Sequence, residues 1–158
     1  MPEFLKALLA KSARKRGFIG RRKARYIYGA IATDDWNWIA GIWEGEGTAC
    51  ITTQAQRKPW SPGKRIVVTI TQKDRSMLEE VKRLTATGSI HPGSRASHWV
   101  IASRCAREFL TTLMPYVRSQ RRRIQIVRVL AIDAEQRAIG KKNLREANQR
   151  RMALAKVS

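Results

Sequence analysis

Residues 38–47 read Trp-Ile-Ala-Gly-Ile-Trp-Glu-Gly-Glu-Gly, an apolar, glycine-spaced stretch that ends in two carboxylates. In a helix, Gly41 and Gly45 lie on one face and let a second helix approach closely. Glu44 and Glu46 would stand at the C-terminal end of that helix, where an exposed negative charge opposes the helix dipole at a cost of about 0.3–1 kcal/mol. We therefore expect a compensating cation there, either a divalent metal ion or an arginine.

The chain around this stretch is strongly basic. Its 158 residues include 32 Lys and Arg against 12 Asp and Glu, for a formal charge of +20. The length suits one domain with extensions, and 43% hydrophobic residues are enough for a core. A globular chain with this charge indicates a polyanionic partner, with nucleic acid ahead of an anionic membrane surface. Because no apolar run approaches the ~18–20 residues of a membrane span, we expect a soluble protein without a membrane partner.

The cysteines and histidines do not form a zinc pattern. Cys50 and Cys105 are far apart and lack metal-site spacing, and His91 and His98 do not complete a site with them. We interpret both cysteines as reduced thiols of an intracellular protein, in a prokaryotic cytoplasm or an organelle. A metal site would then be built from oxygen ligands.

Hydrophobic periodicity predicts the element order α-β-β-α-β-β-α-α. The first helix is expected to start at the N-cap-type residues Thr33 and Asp34 and to end at Glu44 or Gly45. The remaining elements are strands over 48–56, 65–72, 89–91 and 98–102 and helices over 77–84, 109–114 and 120–132. This pattern predicts an α+β fold, a four-stranded antiparallel sheet with helices packed on one face and the other face free.

Composition divides the chain into three predicted segments. Residues 1–30 form a basic N-terminal extension, whose Arg-rich, acid-poor composition also fits an organelle transit peptide. Residues 31–133 hold the predicted domain. Residues 134–158 are charged, with little apolar periodicity, and are expected to form an extra helix or a tail.

Residues 39–47 resemble the LAGLIDADG motif of homing endonucleases, in the Glu-Gly-Glu-Gly variant of single-motif members. The resemblance continues in order and spacing from about Asp35 to about Asp133, through Thr71-Gln72-Lys73 and Leu113-Met114-Pro115-Tyr116. It implies the αββαββα fold and an intron-encoded, sequence-specific double-strand DNA endonuclease, a metal-dependent hydrolase. In such proteins the motif helices pair across a two-fold axis, so the resemblance implies a homodimer on a long pseudo-palindromic site in double-stranded DNA.

The resemblance also implies a metal site and its ligands. Glu46, together with Gly45, would hold the catalytic Mg²⁺, with Mn²⁺ as an alternative and Ca²⁺ as a non-cleaving substitute. Glu44 would serve the structure of the helix end instead. Gln72 would position water near the metal, and Lys73 or Arg75 would stabilise charge on the phosphorane.

One position departs from the family pattern. Gln120 stands where many members carry a Lys that organises solvent at the active site, and we count it with the catalytic positions. Arg118, Arg121 or Arg122 could substitute, although guanidinium and ammonium groups differ in geometry and hydration. This departure bears on cleavage rate rather than on DNA binding.

The same resemblance assigns two interfaces. The dimer interface is expected at Trp38, Gly41, Ile42 and Gly45. The DNA-binding residues are expected on the free sheet face, in the major groove, and at nearby basic positions: Cys50, Thr52, Gln54, Gln56, Lys58, Arg65, Val67, Thr69, Thr71, Ser89, His91, Arg95, His98, Val100, Arg118 and Arg121. Arg and Gln suit guanine and adenine edges. For any single member, an ordinary solvated strand position is the alternative interpretation.

Two other functions remain open on the sequence. One is a maturase-like RNA-binding cofactor of splicing, and the other is a DNA-binding protein that keeps the fold without cleaving. Glu46 and Gln72 favour the enzyme, whereas Gln120 leaves both alternatives open.

Overall fold

The computed structural model of the chain describes residues 27–54 and 63–155. A 3₁₀ turn, Ile27–Ala30, precedes the first helix, and a second, Met114–Tyr116, precedes the last. The helices are α1 (Thr33–Glu46), α2 (Arg75–Thr85), α3 (Ser103–Leu113) and α4 (Gln120–Ala155). The strands are β1 (Gly47–Thr53), β2 (Lys64–Gln72), β3 (Ser89–Pro92) and β4 (Ser97–Ala102). Most of the predicted N-terminal extension, and Gln56 and Lys58, lie outside the described residues.

The strands form one antiparallel sheet in the order β1-β2-β4-β3. Its register is visible in one row of partners, in which Gly47 pairs with Ile70, Ile70 with Trp99, and Trp99 with Ile90. The predicted α+β fold with a four-stranded antiparallel sheet is therefore confirmed.

One face of the sheet carries the core, as the alternation in β2 predicts. Ile66, Val68 and Ile70 are fully buried, while Val67 and Thr69 between them are only half-buried on the other face. Helices cover the buried face. The four largest fully buried side chains come from α1, β4 and α3: Trp36, Trp43, Trp99 and Phe109. Helix α4 adds Ile126.

Helix α1 begins where the sequence predicts, but without the predicted side-chain cap. Its N-cap position is Ala32, whose carbonyl accepts from the Trp36 N–H at 3.0 Å, and no side chain caps it. Asp34 and Asp35 lie in the first turn instead, where negative charge suits the positive end of the helix dipole.

Helix α1 also continues one or two residues further than predicted, through Glu46, and passes directly into β1 at Gly47. A Cβ on Gly47 would overlap both the ring and the carbonyl oxygen of Trp43. Gly47 rather than Gly45 therefore makes this sharp change of direction, because the backbone passes too close to Trp43 for any side chain.

Helix α4 is one continuous helix of 36 residues rather than a helix that ends at Ile132. The domain boundary predicted between 133 and 134 falls inside it. Asp133 is only 6% exposed and pairs with Arg107 of α3 at 2.6 Å and with Arg137 at 3.0 Å. Residues 120–155 contain no proline, so the helix can continue past this anchor. Although α4 is long, no helix in 27–54 or 63–155 is apolar enough to cross a membrane.

Candidate active site and outer sheet face

Glu46 is the last residue of α1, and its side chain is exposed. It makes no hydrogen bond or ion pair with any residue that the structure describes. Because Gly47 pairs with Ile70, the end of α1 and the last residues of β2 lie at the same end of the sheet. Gln72, the last residue of β2, is thus brought to the same end as Glu46, with no hydrogen bond between the two side chains.

Glu44 behaves differently from Glu46, although only Gly45 separates the two in sequence. Its Oε1 accepts a hydrogen bond from the backbone N–H of Ser119 at 2.6 Å. Ser119 immediately precedes α4, and the N-terminal end of a helix favours a negative charge. Glu44 therefore joins the end of α1 to the start of α4, which fits the helix-end role expected for it.

Arg122 supplies a cation at the end of α1. Its Nε and Nη2 donate to the carbonyl oxygen of Glu44 at 3.1 and 2.9 Å. Its guanidinium carbon lies 5.3 Å from the centre of the Trp43 ring, and its Nη1 donates to Oε1 of Gln125 at 3.0 Å. A cation at a helix C-terminus stabilises by about 0.3–1 kcal/mol, or up to about 2 when partly buried. Of the two compensating cations expected, the structure therefore contains the arginine.

The remaining catalytic candidates are dispersed around this end of the molecule. Lys73 is exposed between β2 and α2, and Asp74 beside it caps α2. The Ser76 hydroxyl and backbone N–H both donate to Asp74 and lower the pKa of its carboxyl group. Arg75 donates to Oε1 of Glu79 at 2.9 Å on the surface of α2. Lys73 is thus the candidate cation of this loop that no described carboxylate engages.

Gln120 is the first residue of α4 and is exposed. It lines an open groove beside the end of α1 together with Glu44, Arg121 and Arg128. No hydrogen bond among residues 27–54 and 63–155 connects it to Glu46. Of the three arginines that could replace the family's Lys, Arg122 is already engaged, which leaves the exposed Arg118 and Arg121.

The end of α1 presents two oxygen atoms of the kind that bind divalent metal ions. Among the described residues, no group of three or more His, Cys, Asp or Glu side chains could hold an ion. The unpaired Glu46 carboxylate and the backbone carbonyl of Gly45 are oxygen donors of the type that Mg²⁺ prefers. A Cβ added at Gly45 would meet no atom within 4 Å, so the space beside this donor pair is open. These two donors suit such an ion, and the described residues of one chain supply no group of three or more side-chain ligands around it.

The outer face of α1 is apolar and, among the described residues, largely uncovered, although Ile42 at its edge is half-buried against the core. Trp38, Gly41, Ile42 and Gly45 recur at helical spacing, and the Trp38 residue is 37% exposed. A Cβ added at Gly41 or at Gly45 would contact nothing within 4 Å. Glycine inside a helix costs about 0.8–1 kcal/mol relative to alanine. Nothing that the structure describes within one chain explains why these two positions lack side chains.

The outer face of the sheet carries most of the predicted DNA-binding residues. Register places Thr69 beside Val100 and Val100 beside Ser89, and Thr71 beside His98 and His98 beside His91. Ten of the predicted side chains belong to this face: Cys50, Thr52, Arg65, Val67, Thr69, Thr71, Ser89, His91, His98 and Val100. The Thr71 hydroxyl and Nδ1 of His98 are 2.9 Å apart.

The other predicted DNA-binding residues lie beside this face or away from it. Gln54 directly follows β1, and Arg95 is exposed in the turn between β3 and β4. Arg118 and Arg121 are exposed at the start of α4, near the end of α1 rather than on the sheet. Strand pairing therefore does not place these two arginines on the outer face of the sheet.

Sequence reasoning missed two residues that shape this region. Ser119, whose backbone N–H donates to Glu44, could have been found, because a serine just before a predicted helix is a typical N-cap. Gln125, whose Nε2 donates to the carbonyl of Ala49 at 3.0 Å, gives no such signal. Its role depends on a contact between distant parts of the chain.

Comparison with known proteins gave matches by structure but none by sequence. No protein-family model and no curated protein matches the sequence. Solved structures do match. The homing endonuclease I-CvuI in complex with its target is 18% identical, with a TM-score of 0.55, over 65% of this chain and 67% of that one. The homing endonuclease I-TnaI is 16% identical, with a TM-score of 0.55, over 70% and 81%. This chain has the LAGLIDADG homing-endonuclease fold.

The LAGLIDADG fold predicted from residues 39–47 is thereby confirmed. A third structure, the I-SmaMI LAGLIDADG homing endonuclease bound to cleaved DNA, is 15% identical with a TM-score of 0.55. That match covers 94% of this chain but only 50% of the I-SmaMI chain. One copy of the present chain therefore corresponds to half of I-SmaMI.

Proposed function

We propose that the chain is a sequence-specific double-strand DNA endonuclease of the homing type, which hydrolyses phosphodiester bonds with divalent metal ions as a homodimer. The observation that carries this proposal is Glu46. The chain has a charge of +20, yet this carboxylate is exposed and has no partner among the described residues. It lies at the end of α1, where Gly45 leaves open space beside the helix. The fold that it belongs to is shared with homing endonucleases solved on DNA.

The catalytic roles follow from the end of α1 and the loop after β2. Glu46 and the Gly45 carbonyl would hold Mg²⁺, which when bound polarises the phosphate and makes a nucleophile from water. Gln72, at the same end of the sheet, can orient a water molecule through its amide. Lys73, with its ammonium group free of described carboxylates, can offset negative charge that develops on the phosphate.

The homodimer is supported by two features of α1. Gly41 and Gly45 leave open space on a face that also exposes Trp38, which suits the close approach of a second helix. Cutting a duplex requires an active-site carboxylate for each strand, and one chain supplies one Glu46. Correspondence of this chain to half of I-SmaMI agrees with a two-copy assembly.

The outer sheet face is the proposed DNA-reading surface. A curved antiparallel sheet can lie along the major groove, where base edges are distinguishable. Hydroxyl, imidazole and guanidinium groups dominate this face, among them Thr69, His91 and Arg65. Arg118 and Arg121, off the sheet face, would contact phosphates and position the protein without reading sequence.

The decisive experiment compares Glu46→Gln with Glu135→Gln, an exposed glutamate of α4 without a described partner. The probe is a DNA duplex that is selected from a randomised library because it binds the full-length wild-type chain. We expect Glu46→Gln to abolish cutting in Mg²⁺ and to bind the duplex as wild type does, whereas Glu135→Gln cuts normally. Normal cutting by Glu46→Gln would overturn the assigned active site.

A second candidate function, a DNA-binding protein that does not cleave, is favoured by Gln120. This position carries no positive charge, and the N–H donors of Arg122 are already engaged by the Glu44 carbonyl and by Gln125. Purified wild-type chain that bound the selected duplex but never nicked it in Mg²⁺ or Mn²⁺ would favour this candidate. Cutting that depends on Glu46 would exclude it.

A further inference from the structure

Arg122 anchors the backbone on both sides of Glu46. Directly, it holds the Glu44 carbonyl, two residues before Glu46, with two hydrogen bonds of 3.1 and 2.9 Å. Indirectly, it holds Gln125, whose amide donates to the Ala49 carbonyl three residues after Glu46. One side chain of α4 thus connects the last turn of α1 to the beginning of β1.

The contacts of Arg122 use properties that are specific to a guanidinium group. The last carbonyls of a helix have no partner within the helix, and two N–H groups in a fixed plane can share one such oxygen. The guanidinium lies over the ring of Trp43, which is fully buried and therefore fixed in place. A lysine could keep the charge, but it would lose both the paired donors and the planar contact.

No residue that the structure describes makes a hydrogen bond or ion pair that would fix the Glu46 side chain. Its carboxylate is exposed and unpaired among the described residues, so its location depends on the backbone that carries it. That backbone is short, because the chain passes from α1 to β1 without an intervening loop. Whatever holds the carbonyls of Glu44 and Ala49 consequently sets where the carboxylate stands.

We propose that Arg122, assisted by Gln125, is a positioning residue for Glu46. It acts through the α1–β1 junction and touches neither substrate nor metal. This inference rests on the proposed nuclease function of Glu46. Since a displacement of about 1 Å in a catalytic group can cost roughly 100-fold in rate, loss of the anchor should lower the rate of cutting more than the affinity for DNA.

The test compares Arg122→Met with Arg122→Lys and Gln125→Met. Methionine keeps an unbranched side chain over Trp43 and removes the donors, whereas lysine keeps the charge alone. Arg145→Met is the matched control, because Arg145 is exposed in the distal part of α4 and has no described partner. Measurements are single-turnover cutting of the selected duplex, the Mg²⁺ concentration for half-maximal rate, duplex affinity in EDTA, and thermal melting.

We expect Arg122→Met to cut about 10- to 100-fold more slowly, to need more Mg²⁺, and to bind the duplex within about threefold of wild type. Arg122→Lys should recover part of the rate, Gln125→Met should show a smaller defect of the same kind, and Arg145→Met should match wild type. An unchanged rate and Mg²⁺ requirement in Arg122→Met would overturn the proposal. So would a fall in duplex affinity as large as the fall in rate, which would make Arg122 a phosphate contact.

The experiment also covers a variant that fails to fold and a wild-type chain that does not cut. If Arg122→Met fails to fold, Arg122→Lys and Gln125→Met carry the same comparison. If wild-type chain binds the duplex and never cuts it, the proposed nuclease function fails, and calorimetric titration of Mn²⁺ into the protein–duplex complex replaces the rate. Weaker Mn²⁺ binding in Arg122→Lys and Gln125→Met than in Arg145→Met would then support positioning of Glu46, and equal binding would overturn it.

Discussion

Helix α1 has two apolar faces, and the described residues fully cover only one of them. Trp36, Ile39 and Trp43 are buried against the sheet and the other helices, whereas Trp38 is exposed and Gly41 has open space beside it. Strand β2 repeats the contrast between its core face and its outer face. The covered faces account for the stability of the fold. The uncovered faces cost stability or leave it unchanged, and under the proposed function they contact a second copy of the chain and DNA.

The largest effect expected from this contrast concerns two tryptophans of α1. Trp43→Ala should lower the free energy of unfolding by about 3–5 kcal/mol, because it removes a fully buried ring from the core. Trp38→Ala should change that free energy of the monomer by less than about 1 kcal/mol but weaken self-association. Urea unfolding and sedimentation velocity measure the two quantities. Equal losses of stability would show that the outer face is covered within one chain.

Two glycines provide the next comparison. Gly47→Ala should destabilise the fold by about 2–3 kcal/mol, because the new methyl group would overlap Trp43. Gly41→Ala should stabilise the monomer by about 0.5–1 kcal/mol, since alanine favours the helix and no described atom opposes the methyl group. The same variant should self-associate more weakly in sedimentation velocity. Gly41→Ala that left both melting and association unchanged would contradict this account of the outer face.

The smallest effect is expected in β2, where two adjacent valines face opposite sides. Val68→Thr should cost about 1–2 kcal/mol, because it places a hydroxyl group in the core. Val67→Thr, on the outer face, should stay within about 0.5 kcal/mol of wild type in melting experiments. Its effect should appear instead in the sequence of the duplexes that it selects. Identical selected duplexes would argue against a base contact at Val67.

The features that could be predicted from the sequence depend on local periodicity. The alternation through Ile66, Val68 and Ile70 was sufficient to orient β2, and the motif at 39–47 was sufficient to identify the fold. Contacts between distant residues could not be predicted. Glu44 meets Ser119 and Arg122 across more than 70 residues of sequence, and Asp133 meets Arg107 of another helix.

The candidate site shows the same limit on a smaller scale. The need for a cation at the end of α1 followed from the helix dipole, but the sequence offered a metal ion and several arginines for it. Only the fold brings Arg122 of α4 to this end of α1. Likewise, the charge pattern of α4 beyond Asp133 carries no apolar stripe, so its continuation as a helix depends on the anchor at Asp133 rather than on periodicity.

The direct passage from α1 into β1 at Gly47 has a geometric consequence for the proposed homodimer. Without loop residues between them, the helix and the strand form a stiff corner, and Trp43 leaves no space for that corner to flex. A change in the crossing angle of the paired helices would therefore rotate each sheet by a similar angle. The separation of the two half-sites read on DNA would be determined at the helix pair, by residues that never touch a base.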